Sequence, residues 1–173
     1  MAGKRRQSSK FFSAGGAAFS SASDDWATPP HVFEALDAEF DFELDAAASP
    51  TNAKCPRFYT PADDGLAQEW TGTVWVNPPY ERYITEKWIE KAADSADAGA
   101  TVVALIPART CTKWWHRHVM ERADEVRLIE GRLKFGVGTD SAPFPSAVVI
   151  YGPGGRASGI TAPRFSAWKP TPR

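Results

Sequence analysis

The stretch Thr73–Tyr80, TVWVNPPY, joins a run of β-formers to an asparagine, two prolines and a tyrosine. Val74, Trp75 and Val76 suit a pleated, buried strand. Proline has no backbone N–H, so the strand stops at Asn77. Each proline also confines the residue before it to extended geometry, which restrains both Asn77 and Pro78. The result is a stiff turn at a strand end. Such a turn aims the Asn77 side-chain oxygen and the Pro78 carbonyl into one cleft. Two fixed acceptors suit an amino group with two hydrogens. Tyr80 adds a flat ring beside them, and an exocyclic amine on a planar base fits that description. The competing reading is a strand stopped by prolines, with a structural asparagine.

The neighbouring segments alternate in period. TPPHVFEALDAEF (28–40) reads as a helix, with Thr28 as its N-cap and a proline in its first turn. FELDAAAS (42–49) reads as a short strand ending in small residues. TEKWIEKAADSADAG (85–99) is a helix stopped by Gly99, and TVVALIPA (101–108) a strand covered on both faces. TKWWHRHVMERA (112–123) reads as a further helix, with Thr112 as its cap. EVRLIEGRLKF (125–135) reads as a strand pair or a strand bent at Gly131, and SAVVIYG (146–152) closes the set. Alternating elements with buried strands indicate an α/β fold: a small single domain with a mostly parallel sheet and flanking helices. In such sheets ligands gather at the carboxyl ends of strands. Asp45, Asn77 and the PART of 107–110 all fall at such ends.

The chain has 173 residues, enough for one domain with a core. The boundaries expected are a Ser/Gly/Ala-rich tail over 1–23, a domain over 24–152 and an irregular Gly/Pro-rich tail over 153–173. No run of about 18 apolar residues suggests a membrane span, and no signal peptide is visible. Two cysteines, Cys55 and Cys111, stand in no paired motif and read as packing residues. A cytoplasmic protein, monomeric by default, is the expectation. His116 and His118 lie two apart and point away from each other on a helix, which argues against a metal site. The net charge of −1 argues weakly against a nucleic-acid partner. Its distribution does not: acids crowd Asp24–Glu69, whereas Arg109, Lys113 and Arg117 stand together without an acid.

With these residues in view, Asn77-Pro78-Pro79-Tyr80 resembles the catalytic motif of amino-methyltransferases that use S-adenosylmethionine. Together with DWATPPHVFEAL (25–36), FELDAAAS, DDGLAQEW (63–70), PARTCTKWW (107–115) and GRLKF (131–135), it is similar to the phage-type Dam family of DNA adenine-N6 methyltransferases. The resemblance covers about three quarters of the chain. It implies a Rossmann-like methyltransferase fold, S-adenosylmethionine as cofactor and double-stranded DNA as partner. It also implies methylation of adenine N6 at a short site, as in restriction-modification, with the target base flipped out.

On that resemblance Asn77 and Pro78 hold the target amine, Pro79 stiffens the turn and Tyr80 stacks on the base. Trp26, Thr28, Asp45, Ala46 and Asp64 take the cofactor. Arg109, Lys113 and Arg132 hold phosphates, and Phe135 or Phe144 backs the flipped base. Plainer readings stand beside these: Asp45 as a turn aspartate, Asp64 as half of an Asp-Gly turn, the phenylalanines as core, the cations as solvated surface. The cofactor loop departs from the family pattern, with Asp45-Ala46-Ala47-Ala48-Ser49 where glycines are usual. Transfer to RNA or to protein glutamine, and a non-catalytic DNA-binding or decoy protein, are the alternative functions.

Overall fold

The computed structural model describes residues 27–81, 83–136, 140–156 and 159–171. Trp26 and the expected tail over 1–23 lie outside them. The protein is a mixed α/β domain on one seven-stranded sheet. The strands are β1 (Leu44–Asp45), β2 (Arg57–Phe58), β3 (Thr73–Val76), β4 (Thr101–Pro107), β5 (Glu125–Ile129), β6 (Ser146–Tyr151) and β7 (Arg164–Trp168). Their order across the sheet is β2-β1-β3-β4-β6-β5-β7. β6 runs antiparallel to its neighbours β4 and β5, and every other pair is parallel.

Side-chain alternation along the strands divides the core between the two faces. Val74 and Val76 of β3, with Val102, Ala104 and Ile106 of β4, face α2 (Ile84–Asp97) and Trp115. Trp75, Val103 and Leu105 face α1 (Pro30–Phe40), meeting Val32, Phe33 and Leu36. A strand buried on both faces reads as a continuous apolar run, which is how β4 was legible.

Several expectations need correction. Thr28 does not cap α1: the N-cap is Pro29, with no side-chain capping bond. Two consecutive prolines set the helix start by their fixed φ, so no hydroxyl cap is required. The helix expected over 112–123 is mostly a π-helical segment, Trp115–Met120, in which the Glu121 amide donates to the His116 carbonyl at 3.1 Å. Trp115, His118 and Val119, spaced i, i+3 and i+4, are its buried residues. Thr112 does act near its start, accepting from the Trp115 amide at 3.4 Å. Only Glu125–Ile129 of the expected strand pair is a strand.

The tail expected to be irregular contains β7, which pairs in parallel with β5. Arg164 of β7 forms an ion pair with Glu125 of β5, and Glu125 also meets Arg127 at 2.9 Å. Arg127 reaches Glu39 of α1 at 2.6 Å. This charged lattice and Trp168, which packs against the core on the α1 side, hold the last strand in place. Cys55 is buried as expected, its thiol pushed up to about 12 by burial, but Cys111 is exposed.

Candidate active site

The chain leaves β1 for β2 on one side and returns to β3 on the other. The sheet order therefore reverses between β1 and β3, and a crevice opens outside their carboxyl ends. Asp45 pairs with Trp75 in the ladder, and the Ala46 amide extends it to the Trp75 carbonyl at 2.9 Å. Asn77 follows Trp75 by two residues. The crevice is lined by Ala27, Thr28, Asp45, Ala47, Asn52, Lys54, Trp75 and Asn77.

On the β3 side the carboxamide of Asn77 is 5% exposed. Its Nδ2 donates to Thr28 Oγ1 at 3.0 Å. Its Oδ1 accepts from the Tyr80 hydroxyl at 2.5 Å, and that hydroxyl lies 3.3 Å from the Leu105 carbonyl of β4. The Tyr80 ring is 8% exposed and meets Phe144 edge-on at 5.4 Å and Phe135 at 6.0 Å. Burial holds the Tyr80 hydroxyl well above its ordinary pKa, so it stays a neutral donor. Thr85 fixes the far side of the turn by donating to the Pro79 carbonyl at 2.8 Å.

On the β1 side Asp45 is 3% exposed. Burial pushes its carboxyl up to about 6, against the opposing pull of two amide hydrogen bonds. Those come from Lys54 to Oδ2 at 3.0 Å and from Ala47 to Oδ1 at 3.3 Å. Asp45 is thus a turn aspartate and a crevice wall at once. The loop closes further through Asn52, whose Oδ1 accepts from the Ser49 amide at 2.7 Å.

The structure brings Thr28, Asp45 and Asn77 together, although 49 residues separate Thr28 from Asn77. Asp64 is exposed in a left-handed turn (φ 52°) beside the end of β1 and is not among the residues lining the crevice between Asp45 and Asn77. The glycine beside it packs against the end of β1. A Cβ on Gly65 would lie 2.4 Å from the Ala46 carbonyl and 2.9 Å from the Trp88 ring, so only glycine fits there. The Ala46 side chain is fully buried in the core, and Ala47 is the alanine that lines the crevice. Sequence reasoning missed Asn52, Lys54 and Ala47. Their signal was the polar TNAK (51–54) directly after the small residues of the loop.

Phe135 and Phe144 converge on Tyr80 as a three-ring cluster, 6.3 Å apart from each other. Arg109, Lys113 and Arg132 are exposed. Because β4 and β5 are both antiparallel to β6, their carboxyl ends share the edge that carries Asn77. Arg109 follows the end of β4, and Arg132 and Phe135 follow the end of β5, so both segments leave from that edge. The amide of Gly136 donates to the Ala27 carbonyl at 2.9 Å, tying the loop after β5 to the segment before Thr28.

The sheet is covered on both faces, and the Asn-Pro-Pro-Tyr turn forms one wall of its switch-point crevice. Residues 16–149 match the family model described as DNA N-6-adenine-methyltransferase (Dam), and the chain belongs to that family. It is 31% identical over 138 residues to the DNA N-6-adenine-methyltransferase of Escherichia phage T1, covering 78% of this chain and 57% of the relative. The DNA N-6-adenine-methyltransferase of Haemophilus phage HP1 is also 31% identical over 138 residues, covering 75% and 79%. The chain thus spans little more than half of the first relative. Among solved structures, that of a predicted O-methyltransferase from Agrobacterium tumefaciens aligns over 70% of this chain and 57% of its own, at 19% identity and a TM-score of 0.37.

Proposed function

We propose that this chain transfers a methyl group from S-adenosylmethionine to the exocyclic N6 of adenine in double-stranded DNA, at a short site, with the target base turned out of the helix. One observation carries the reading: a buried carboxylate and a buried, side-chain-anchored Asn-Pro-Pro-Tyr turn meet at the switch point of the sheet. The crevice residues suit the cofactor. Asp45 offers negative charge to a cationic group, Lys54 offers positive charge to a carboxylate, and the Ala47 side chain permits close approach. When bound, S-adenosylmethionine supplies an electrophilic methyl on a sulfonium that leaves as a neutral thioether.

The chain's own contribution is positioning. Asn77 Oδ1 and the Pro78 carbonyl accept the two hydrogens of the adenine amine and direct its lone pair at the methyl. As the nitrogen–carbon bond forms, the nitrogen becomes cationic, and both acceptors stabilise it. That nitrogen then loses a proton readily to water, so no strong base is required. Tyr80, Phe135 and Phe144 form the aromatic wall for the base. Arg109, Lys113 and Arg132 stand on the rim to meet phosphates, which fix register without reading sequence. No helix among the described residues is long and apolar enough to cross a membrane; the enzyme works in the cytoplasm, where its DNA is.

The test is transfer of labelled methyl to DNA, RNA and protein by the parent and by Asn77→Ala. The expected result is label at adenine N6 in duplex DNA, lost in the variant. Label on RNA or protein alone, or a variant as active as the parent, would overturn the reading.

A further inference from the structure

Asn77 can position an amine only if its oxygen, and not its NH2 group, faces the target. The two ends of a carboxamide have nearly the same shape, so sterics alone do not choose between them. The choice rests on hydrogen-bond direction, because a hydroxyl can donate as well as accept. In this structure Nδ2 is turned to Thr28 Oγ1 at 3.0 Å and Oδ1 to the Tyr80 hydroxyl at 2.5 Å. All three side chains are buried: Thr28 is 4% exposed, Asn77 5% and Tyr80 8%. Water therefore does not compete strongly for these groups, and breaking one bond leaves a costly unpaired polar atom.

We infer that Thr28 and the Tyr80 hydroxyl are positioning residues: together they clamp the Asn77 carboxamide in the orientation that presents its oxygen to the target amine. This deepens the proposed function and rests on it. The geometry supports the assignment in three ways. A phenol is a strong donor, and Tyr80 stays protonated because it is buried. Oδ1 has two lone pairs, so accepting from Tyr80 is compatible with accepting from the amine. Donation from Nδ2 to Thr28 also polarises the amide and makes Oδ1 a better acceptor. Thr28 is held for this task from outside β3: it precedes α1, and its neighbour Ala27 accepts from the Gly136 amide at 2.9 Å. The hydroxyl that sequence pattern assigns to helix capping instead faces the catalytic amide.

Thr28→Val keeps the shape of the side chain and removes the acceptor. It should lower kcat for DNA methylation by about tenfold, the size of one ordinary hydrogen bond. KM for DNA should stay within about twofold. Thr28→Ser restores the acceptor and should recover most of the rate. Tyr80→Phe should lower kcat by a similar factor. A second readout needs no activity: the side-chain NH2 of Asn77, followed by 15N NMR in the protein without ligands. Its proton facing Thr28 should exchange with water faster in Thr28→Val than in the parent. A parental kcat in Thr28→Val, or a loss confined to cofactor Kd, would overturn the clamp. Unchanged amide exchange in a folded Thr28→Val would overturn it as well. If the parent methylates no DNA at all, the proposed function fails while the NMR result still decides the clamp.

Discussion

The two walls of the crevice are built differently. At the end of β1, Asp45 is held by amides of its own loop, Ala47 and Lys54, two and nine residues away. At the end of β3, Asn77 is held on one side by Thr28, 49 residues earlier, and on the other by Tyr80, itself packed on Phe135 and Phe144. The β1 wall is a local loop folded around a carboxylate. The β3 wall is a tertiary assembly in which distant segments converge. The difference teaches that damage at Asp45 should stay with its loop and the cofactor, whereas damage near Asn77 should spread through the core.

Tyr80→Ala is expected to have the largest effect. Removing a buried ring from the three-ring cluster should cost about 3–5 kcal/mol of stability, read from urea unfolding. Tyr80→Phe keeps the ring and should cost only about 1 kcal/mol, the worth of a hydrogen bond. From stacking alone, Phe would be expected to replace Tyr80 freely; with the hydroxyl on Asn77, it should not restore full activity. Equal unfolding midpoints for parent and Ala variant would show that the cluster is not core.

Asn77→Ala comes next. Loss of one positioned acceptor corresponds to on the order of 100-fold or more in rate. Single-turnover kinetics should show that loss with cofactor Kd nearly intact. A loss that appears in cofactor Kd instead would move Asn77 to the other wall.

Asp45→Ala orphans two loop amides and should destabilise the fold by about 1–3 kcal/mol. It should weaken S-adenosylmethionine more than DNA, measured by calorimetry on both ligands. Equal loss of both would make Asp45 purely structural.

The Asp45 carboxyl also predicts a pH effect. Its pKa rises from 3.8 in the unfolded chain to about 6 in the fold, chiefly through burial. The folded state then binds the extra proton, so this contribution to stability is complete below 3.8 and is lost as pH rises through about 6. Affinity for a cationic ligand at Asp45 should move the opposite way and strengthen across the same window. Denaturation curves and calorimetry on the parent and Asp45→Asn, at several pH values, isolate the effect of the carboxyl as the difference between the two proteins. A pH-independent difference would show that the carboxyl titrates alike in both states.

The smallest effects belong to the rim. Arg109→Ala and Arg132→Ala should each lower the slope of log K for DNA against log salt by about 1 and leave cofactor binding unchanged. An unchanged slope in both would remove that edge from the DNA interface.

By itself the sequence determined whatever depends on local chemistry. Continuous apolar runs announced β3 and β4, because strands buried on both faces need no alternation. The prolines at 78 and 79 fixed the turn, because their ring geometry does not depend on context. Only the tertiary structure decided what depends on partners. β7 escaped the sequence because its place depends on an ion pair to Glu125, a ladder to β5 and the packing of the single Trp168 on a distant core. The π-helical winding of Trp115–Met120 lies in a bond from the Glu121 amide to the His116 carbonyl, five residues back, and its buried residues keep the spacing of an ordinary helix. Thr28 carries the sharpest case: a threonine before two prolines has the pattern of a helix cap, but its hydroxyl faces Asn77. Local pattern records what a residue can do with its neighbours in the chain, and a hydrogen bond across 49 residues exists only once the sheet has brought its ends together.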